Sequence, residues 1–469
     1  MTDSWANSIG FDGADLHLEP AAGRGLKAGL AEALREAVRG GRLAPGVRLP
    51  SSRSLAADLG IARNTVAEAY AELVAEGWLT ARQGSGTRVA PRARPRKGAA
   101  APLVRLPTRQ GRATYSLLPG SPDLGGFPRA AWLTAARRAL TDAPNEAFGY
   151  GDPRGRVELR EALAGYLARA RGVYADPERI VLCAGFVHGL MLMARVLRAR
   201  RVREVAVESY GLGVHRGLLA AEGLRTRPLP LDAAGACTPD LSGMAAGAVL
   251  LTPAHQFPTG AALTPERRAA AVDWARAAGG VILEDDYDGE FRYDRQPVGA
   301  LQSLDPDRVV YLGTASKSLA PGLRIGWMVV PPGLLDEVLA ARGPVDWTCS
   351  ALEQLTLAQF ITSGAYDRHV RGMRLRYRRR RDQLVAALGG RVAVSGIAAG
   401  LHAVLDLPPG TERAVLQAAA WHSLALDGLS GFRHPEADLP PRDALVVGYG
   451  TPTDSAWAPT LAALSAALP

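Results

Sequence analysis

Gly313-Thr314-Ala315-Ser316-Lys317-Ser318-Leu319-Ala320-Pro321-Gly322-Leu323-Arg324-Ile325-Gly326-Trp327 decides how the chain is read. The chain holds 55 lysines and arginines, yet only Lys27, Lys97 and Lys317 are lysines. Arginine thus meets the general need for positive charge. Lysine adds an amine that can lose its proton and condense with a carbonyl. Lys317 follows an apolar run, Val309–Leu312, that reads as a buried strand. An aldehyde cofactor bearing a phosphate needs this set: an amine for the aldehyde, and the hydroxyls of Thr314 and Ser316 with the Arg324 guanidinium for the phosphate. The competing reading, a lysine on a surface loop, does not explain the scarcity of lysine or the flanking pattern.

Working outward, apolar runs at Ile180–Cys183, Val205–Val207, Ala248–Leu251 and Val281–Leu283 alternate with stretches of helical apolar spacing. This alternation predicts an α/β domain with a largely parallel sheet and ligands at the carboxyl ends of its strands. The chemistry gathers there. Gly185 and Phe186 open a helix whose free N–H groups suit a phosphate. Asp285 can hold a pyridine nitrogen protonated, and Tyr287 can hydrogen-bond a phenolic oxygen. Helix capping or metal binding is the ordinary role of such an acidic stretch; Lys317 downstream favours the cofactor.

Composition is that of a globular protein, with 47% hydrophobic and 22% charged residues, and 469 residues allow two or three domains. No run of about 18 apolar residues occurs, so no membrane span is expected. The first residues lack a basic stretch followed by an apolar core, and the three scattered cysteines suit a reducing cytosol and suggest no metal site. A cytoplasmic location is expected.

The net charge of +9 is unevenly placed. Residues 24–97 carry 14 Lys and Arg against six acids, whereas residues 1–23 carry four acids and neither base. Leu26, Leu30, Leu34 and Val38 mark an amphipathic helix. Ser51 or Ser52 can cap a second, and a third runs from about Arg63 to Glu76. Trp78–Thr80 and Thr87–Val89 can pair as a wing around Gly84. A helix-turn-helix with a wing at 24–90 follows, on a basic block that suits DNA phosphates. Residues 91–112 are rich in Pro and Arg and read as a tether to a cofactor domain at 113–469.

The run Leu49–Leu79, with Arg82–Val89 after it, resembles the winged-helix domain of the GntR family of bacterial regulators. The resemblance implies DNA contacts at Arg53, Arg63, Asn64, Thr65 and Gly84; Arg48 is added on charge alone. Position 62 is alanine where the family usually carries Ser or Thr, and the lost cap is worth about 1 kcal/mol. Residues 115 onward resemble fold type I aminotransferases, which use pyridoxal 5′-phosphate. The segments that carry this are Gly120–Asp123, Tyr150–Gly155, Thr252–Gly260 and Ser316–Gly326. The whole chain is similar to the MocR-type subgroup. That implies Lys317 as the lysine that condenses with the cofactor and Asp285 at its pyridine nitrogen. Tyr287 then faces its phenolic oxygen, and Thr314, Ser316, Arg324, Gly185 and Phe186 hold its phosphate. Tyr150 would reach the phosphate of a neighbouring subunit, which implies a homodimer.

Three positions depart from working aminotransferases. Phe257 replaces an asparagine. The ring that stacks on the cofactor falls to Tyr210, shifted by two positions. Leu445–Gly450 lacks the arginine that takes a substrate carboxylate, and Arg433 and Arg442 are out of register. The reading is a DNA-binding transcriptional regulator with a double-stranded operator. Its pyridoxal phosphate domain senses the cofactor or an amino compound. The alternatives are an active aminotransferase with an appended DNA-binding domain and a scaffold that binds no cofactor. The basic run Arg374–Arg381 is expected to be a solvated helix face.

Overall fold

The computed structural model describes residues 8–11, 14–17, 25–82, 86–91, 113–293, 298–343, 350–440 and 442–469. The chain divides into two units, Met1–Gln110 and Gly111–Pro469. Gly84 and nearly all of the 91–112 tether lie outside the described residues. No helix among the described residues is long and apolar enough to cross a membrane.

In the smaller unit, Ser8–Phe11 pairs antiparallel with Ala14–His17, a pairing that the sequence did not announce. Three helices follow, α1 (Leu26–Arg39), α2 (Ser52–Leu59) and α3 (Arg63–Ala75), then the strands β1 (Leu79–Arg82) and β2 (Gly86–Val89). Ser51 caps α2, its hydroxyl accepting from the Ser54 N–H at 3.1 Å, and Gly60 ends it at φ 66°. α3 starts at Ala62 with no side-chain cap. Leu30, Leu34, Val38, Leu55, Val66, Tyr70 and Leu73 form the core with Leu79 and Val89 of the wing.

The larger unit is built on a seven-stranded sheet. Its helices α4 (Arg129–Asp142) and α5 (Val157–Arg171) precede β3 (Ile180–Cys183). Then come α6 (Phe186–Ala199), β4 (Glu204–Glu208), α7 (Gly213–Ala221), β5 (Arg225–Leu229) and β6 (Ala248–Leu251). After α8 (Pro265–Ala278) come β7 (Val281–Asp285), β8 (Val309–Thr314) and β9 (Gly326–Val329). The order across the sheet is β3-β9-β8-β7-β6-β4-β5. Only β9 runs antiparallel to its neighbours. Five of these strands are the runs read from the sequence. β5 and β9 were not anticipated: β5 is an edge strand with exposed arginines, and β9 begins in the last two residues of the motif read as cofactor chemistry.

The carboxyl-terminal lobe follows α9 (Leu335–Arg342) and α10 (Ala351–Thr362). It contains α11 (Ala365–Leu388), β10 (Val394–Ser395), β11 (Ala403–Asp406), α12 (Glu412–Trp421), β12 (Asp427–Gly428), β13 (Ala444–Val447) and α13 (Asp454–Ala467). Its sheet runs β10-β11-β13-β12. The basic run on α11 is not simply a solvated face. Arg376 and Arg380, one turn apart, turn inward onto Asp123 and Asp454. Arg380 is 2% exposed and also donates to the Pro452 carbonyl at 2.7 Å. Arg378 and Arg379 face solvent. A 3.6-residue period deals a run rich in arginine onto both faces of a helix, and the buried Asp123 and the more exposed Asp454 take those that point in.

Candidate cofactor site and DNA-binding face

The carboxyl ends of β3, β7 and β8 bring the cofactor candidates together. Along β7 the side chains alternate between the two faces of the sheet. Glu284 turns away to accept the N–H groups of Leu301 and Gln302 at 2.7 and 2.8 Å. Asp285 turns the other way. It is 6% exposed, and its Oδ1 is buried without a hydrogen-bond partner. A buried carboxylate oxygen left unpaired costs several kcal/mol unless something fills the place. Burial pushes the Asp285 carboxyl up; the Lys317 charge pulls it back. Lys317, in turn, is lowered by desolvation, against the pull of Asp285 and Asp288. Its Nζ donates to the Gly120 carbonyl. An amine with a depressed pKa is the one that can attack a carbonyl.

The phosphate candidates form a cradle. The Thr314 hydroxyl lies 2.8 Å from that of Ser316. Arg324 is a non-glycine residue at φ 54°, and its Nη2 donates to the Ala184 carbonyl at 2.6 Å. Gly185 sits at φ 84° as the N-cap of α6. A Cβ there would meet the Arg324 guanidinium at 3.3 Å, and a Cβ at Gly326 would meet the Gly185 backbone at 2.8 Å. Two facing glycines therefore let β9 and the start of α6 close on each other. The N–H groups of the first turn of α6, from Phe186, remain at the mouth of this cradle.

The Tyr287 hydroxyl lies 3.1 Å from Nδ1 of His255, which is also 2.8 Å from Asp288 Oδ2. His402 packs on His255 at 4.8 Å between ring centres, and its Nε2 lies 3.1 Å from the Pro258 carbonyl. His255, Asp288 and His402 could together hold a metal ion. One nitrogen of each ring already has a partner, His255 Nδ1 at Asp288 and His402 Nε2 at the Pro258 carbonyl. Tyr210 is buried with Phe257, Leu429 and Phe432. The ring near Lys317 that sequence reasoning missed is His215, on α7. It packs 4.8 Å from Phe186, and burial, with the charges of Lys317 and Arg216, pushes it down to about 4. Tyr150 stands on the surface, 89% exposed.

No arginine stands on β13. Leu445, Val446 and Val447 are fully buried there; Tyr449, two residues beyond it, is buried too, and its hydroxyl donates to the carbonyls of Ala399 and Gly400 at 2.8 Å. Arg433 donates to the carbonyls of Ala437 and Leu439, and Arg442 pairs with Asp406 at 2.6 Å. Arg442 is thus paired with a carboxylate, and Arg433 is turned onto backbone carbonyls.

In the smaller unit, Arg53, Arg63 and Asn64 are exposed and Thr65 is half-buried. Arg48 is exposed and lies against the wing, where a Cβ at Gly86 would meet its Nε at 3.1 Å. Two acids at the carboxyl end of α3, Glu72 and the following Glu76, are paired within the unit. Glu72 and Glu76 bind Arg35 at 2.8 and 2.6 Å, and Glu72 also binds Lys27 at 3.0 Å. The first turn of α3 carries no acid. It therefore presents a basic side chain and a helix N-terminus to an approaching phosphate.

Residues 26–89 match the family described as Bacterial regulatory proteins, gntR family, and residues 121–426 match Aminotransferase class I and II. Over 433 residues the chain is 33% identical to the uncharacterized HTH-type transcriptional regulator YdeL of Bacillus subtilis, covering 90% of this chain and 92% of that one. It is 33% identical over 443 residues to the HTH-type pyridoxine biosynthesis transcriptional regulator PdxR of Corynebacterium glutamicum, covering 94% and 95%. The probable rhizopine catabolism regulatory protein MocR of Rhizobium meliloti is also 33% identical, with coverage of 90% and 89%. Among solved structures, a Pyrococcus horikoshii kynurenine aminotransferase superimposes with a TM-score of 0.67 at 24% identity, covering 76% of this chain and 90% of that one. That likeness shows the fold alone.

Proposed function

Because this chain belongs to the GntR family of bacterial regulatory proteins, in the MocR-type group that joins its winged helix to an aminotransferase class I and II domain, we propose that its large domain binds pyridoxal 5′-phosphate as a sensor. The protein is a DNA-binding transcriptional regulator. When bound, the cofactor supplies an aldehyde that amines attack and a ring that draws electrons. The observation that carries the proposal is the unpartnered, buried Oδ1 of Asp285 beside the desolvated Lys317 amine.

In this reading Lys317 would hold the cofactor through its aldehyde, and Asp285 would keep its ring nitrogen protonated. Tyr287, steadied by His255 and Asp288, donates to the phenolic oxygen. Thr314, Ser316, Arg324 and the N–H groups at Gly185 and Phe186 hold the phosphate. His215, beside Phe186, would pack against the cofactor ring in place of Tyr210. Tyr150, exposed on one subunit, completes the phosphate site of the other in a homodimer. Arg48, Arg53, Arg63, Asn64, Thr65 and Gly84 meet the operator. The effector is the cofactor itself or an amino compound that takes the place of Lys317. It acts through its different affinities for two arrangements of the protein.

The test is an absorption spectrum of the purified, reconstituted protein before and after borohydride, beside Lys317→Ala. A yellow band that borohydride removes and the variant lacks is expected. A wild-type protein without such a band after reconstitution would overturn the proposal.

A further inference from the structure

A cavity of about 400 Å3 opens among α5, the segment after β7 and the first half of α11. None of Lys317, Asp285, Thr314, Ser316 or Arg324 lines it. Five of its lining residues are arginines, namely Arg169, Arg171, Arg292, Arg371 and Arg374, against two acids, Glu290 and Asp367. The pairing within this set is uneven. Asp367 is taken by Arg169 through two bonds of 3.0 and 3.1 Å. Arg171 is taken by Asp286, just behind the wall, at 2.7 and 2.9 Å. Glu290 is buried and meets the Tyr166 hydroxyl at 3.5 Å. Arg374 donates its Nε to the Glu290 backbone carbonyl at 2.8 Å, which neutralises nothing. Arg371 is exposed and has no carboxylate within ion-pair distance among the described residues. A concave site with guanidinium groups in excess of carboxylates selects an anion, because each fork can bind two oxygens at once.

We propose that this cavity binds a small multivalent anion of metabolite size, carrying phosphate or several carboxylates, between Arg371 and Arg374. The site is separate from the cofactor cradle and does not rest on the cofactor reading. Its floor is nevertheless continuous with that site. Asp285, Asp286, Tyr287 and Asp288 run directly into Gly289 and Glu290, and a Cβ at Gly289 would strike Asp286 Oδ1 at 2.2 Å. An anion here lies against the same stretch of backbone that presents Asp285 and Tyr287.

Titration calorimetry on the full-length protein tests this, with sodium pyrophosphate and citrate as probes and sodium chloride at matched ionic strength as the blank. Saturable binding of one or both probes is expected. Arg371→Ala should weaken it several-fold and Arg371→Ala/Arg374→Ala tenfold or more, while Arg324→Ala leaves it within twofold. Pyrophosphate alone binding identifies a phosphate ligand, and citrate alone a polycarboxylate; either supports the site. No saturable binding by the wild type overturns the proposal. So does unchanged affinity in Arg371→Ala, or binding lost in Arg324→Ala but kept in the double variant, which would place the anion in the cofactor cradle. If the double variant instead weakens only binding of a DNA duplex, the face serves the operator and the proposal fails.

Discussion

Arg171 grips Asp286 with two parallel bonds, Nε to Oδ2 at 2.7 Å and Nη2 to Oδ1 at 2.9 Å, one residue beyond Asp285. Both partners are buried, and Tyr311 donates to the same Oδ2 at 2.7 Å. Removing one partner leaves a buried charge without its counterion. Arg171→Met should therefore destabilise the large domain by about 3–5 kcal/mol. Adding Asp286→Asn should restore a good part of that loss. Urea unfolding of the two variants checks it; equal stability of the single and double variants would count against the pair's coupling.

Glu208, at the end of β4, sets a pH dependence. Burial pushes its carboxyl up to about 7, although Thr252 and Gln256 donate to it. In the unfolded chain it ionises near 4.5. Between those values the folded protein keeps a proton that the unfolded chain has released. Stability thus falls as pH rises from about 4.5 to about 7, and is level above. The contribution is at most about 3 kcal/mol. Glu208→Gln should flatten this slope relative to wild type, as measured by unfolding at pH 5, 6, 7 and 8.

Arginines in the smaller unit divide by role. Arg35 ties α1 to Glu72 on α3 and to Glu76 just beyond it, whereas Arg63 stands exposed at the start of α3. Arg63→Ala should leave thermal stability unchanged, weaken operator binding and lower the salt slope of the binding constant by about 1. Arg35→Ala should lower thermal stability while leaving that slope in place. Fluorescence anisotropy across a salt series, beside thermal melts, separates the two.

Ala62 leaves the N-terminus of α3 without a side-chain cap. Ala62→Ser should supply an oxygen for an N–H of the first turn and stabilise the small domain by about 1 kcal/mol. Chemical unfolding followed by far-UV circular dichroism reads this directly.

His215, held near 4 and so uncharged at neutral pH, offers a flat neutral ring beside Phe186. His215→Phe should keep pyridoxal phosphate affinity within about twofold. His215→Ala should weaken it by about 2- to 10-fold, the equivalent of ~0.5–1.5 kcal/mol of ring stacking. Reconstitution titrations followed at the cofactor band distinguish them. Loss of the same size in Tyr210→Leu but not in His215→Ala would return the role to Tyr210.

Much of this architecture was legible because buried strands announce themselves as apolar runs, and five strands of the large sheet did so. Alternation on β7 also separates Asp285 from Glu284 by face. What escaped has physical reasons. β5 is an edge strand in which Arg225 and Arg227 face water, so it carries no apolar run. β9 is apolar, but hydrophobicity does not state a direction, and its antiparallel course could not be read. His215 has no local signal: its approach to Phe186 and Lys317 depends on the path of the backbone into α7. The inward arginines of α11 did carry one, since Arg376 and Arg380 are four residues apart.

The first described residues after the tether are fastened to the carboxyl-terminal lobe. Tyr115–Ser116 pairs with Leu424–Ala425, and the Gly448 N–H donates to the Leu117 carbonyl at 2.7 Å. Thr451 donates to the Leu118 carbonyl at 2.7 Å, and Asp123 is clamped by Arg376 and Arg380. Within the large unit, the chain that follows the tether is therefore anchored first to the carboxyl-terminal lobe, so any turn of that lobe carries residues 115–118 and Asp123 with it.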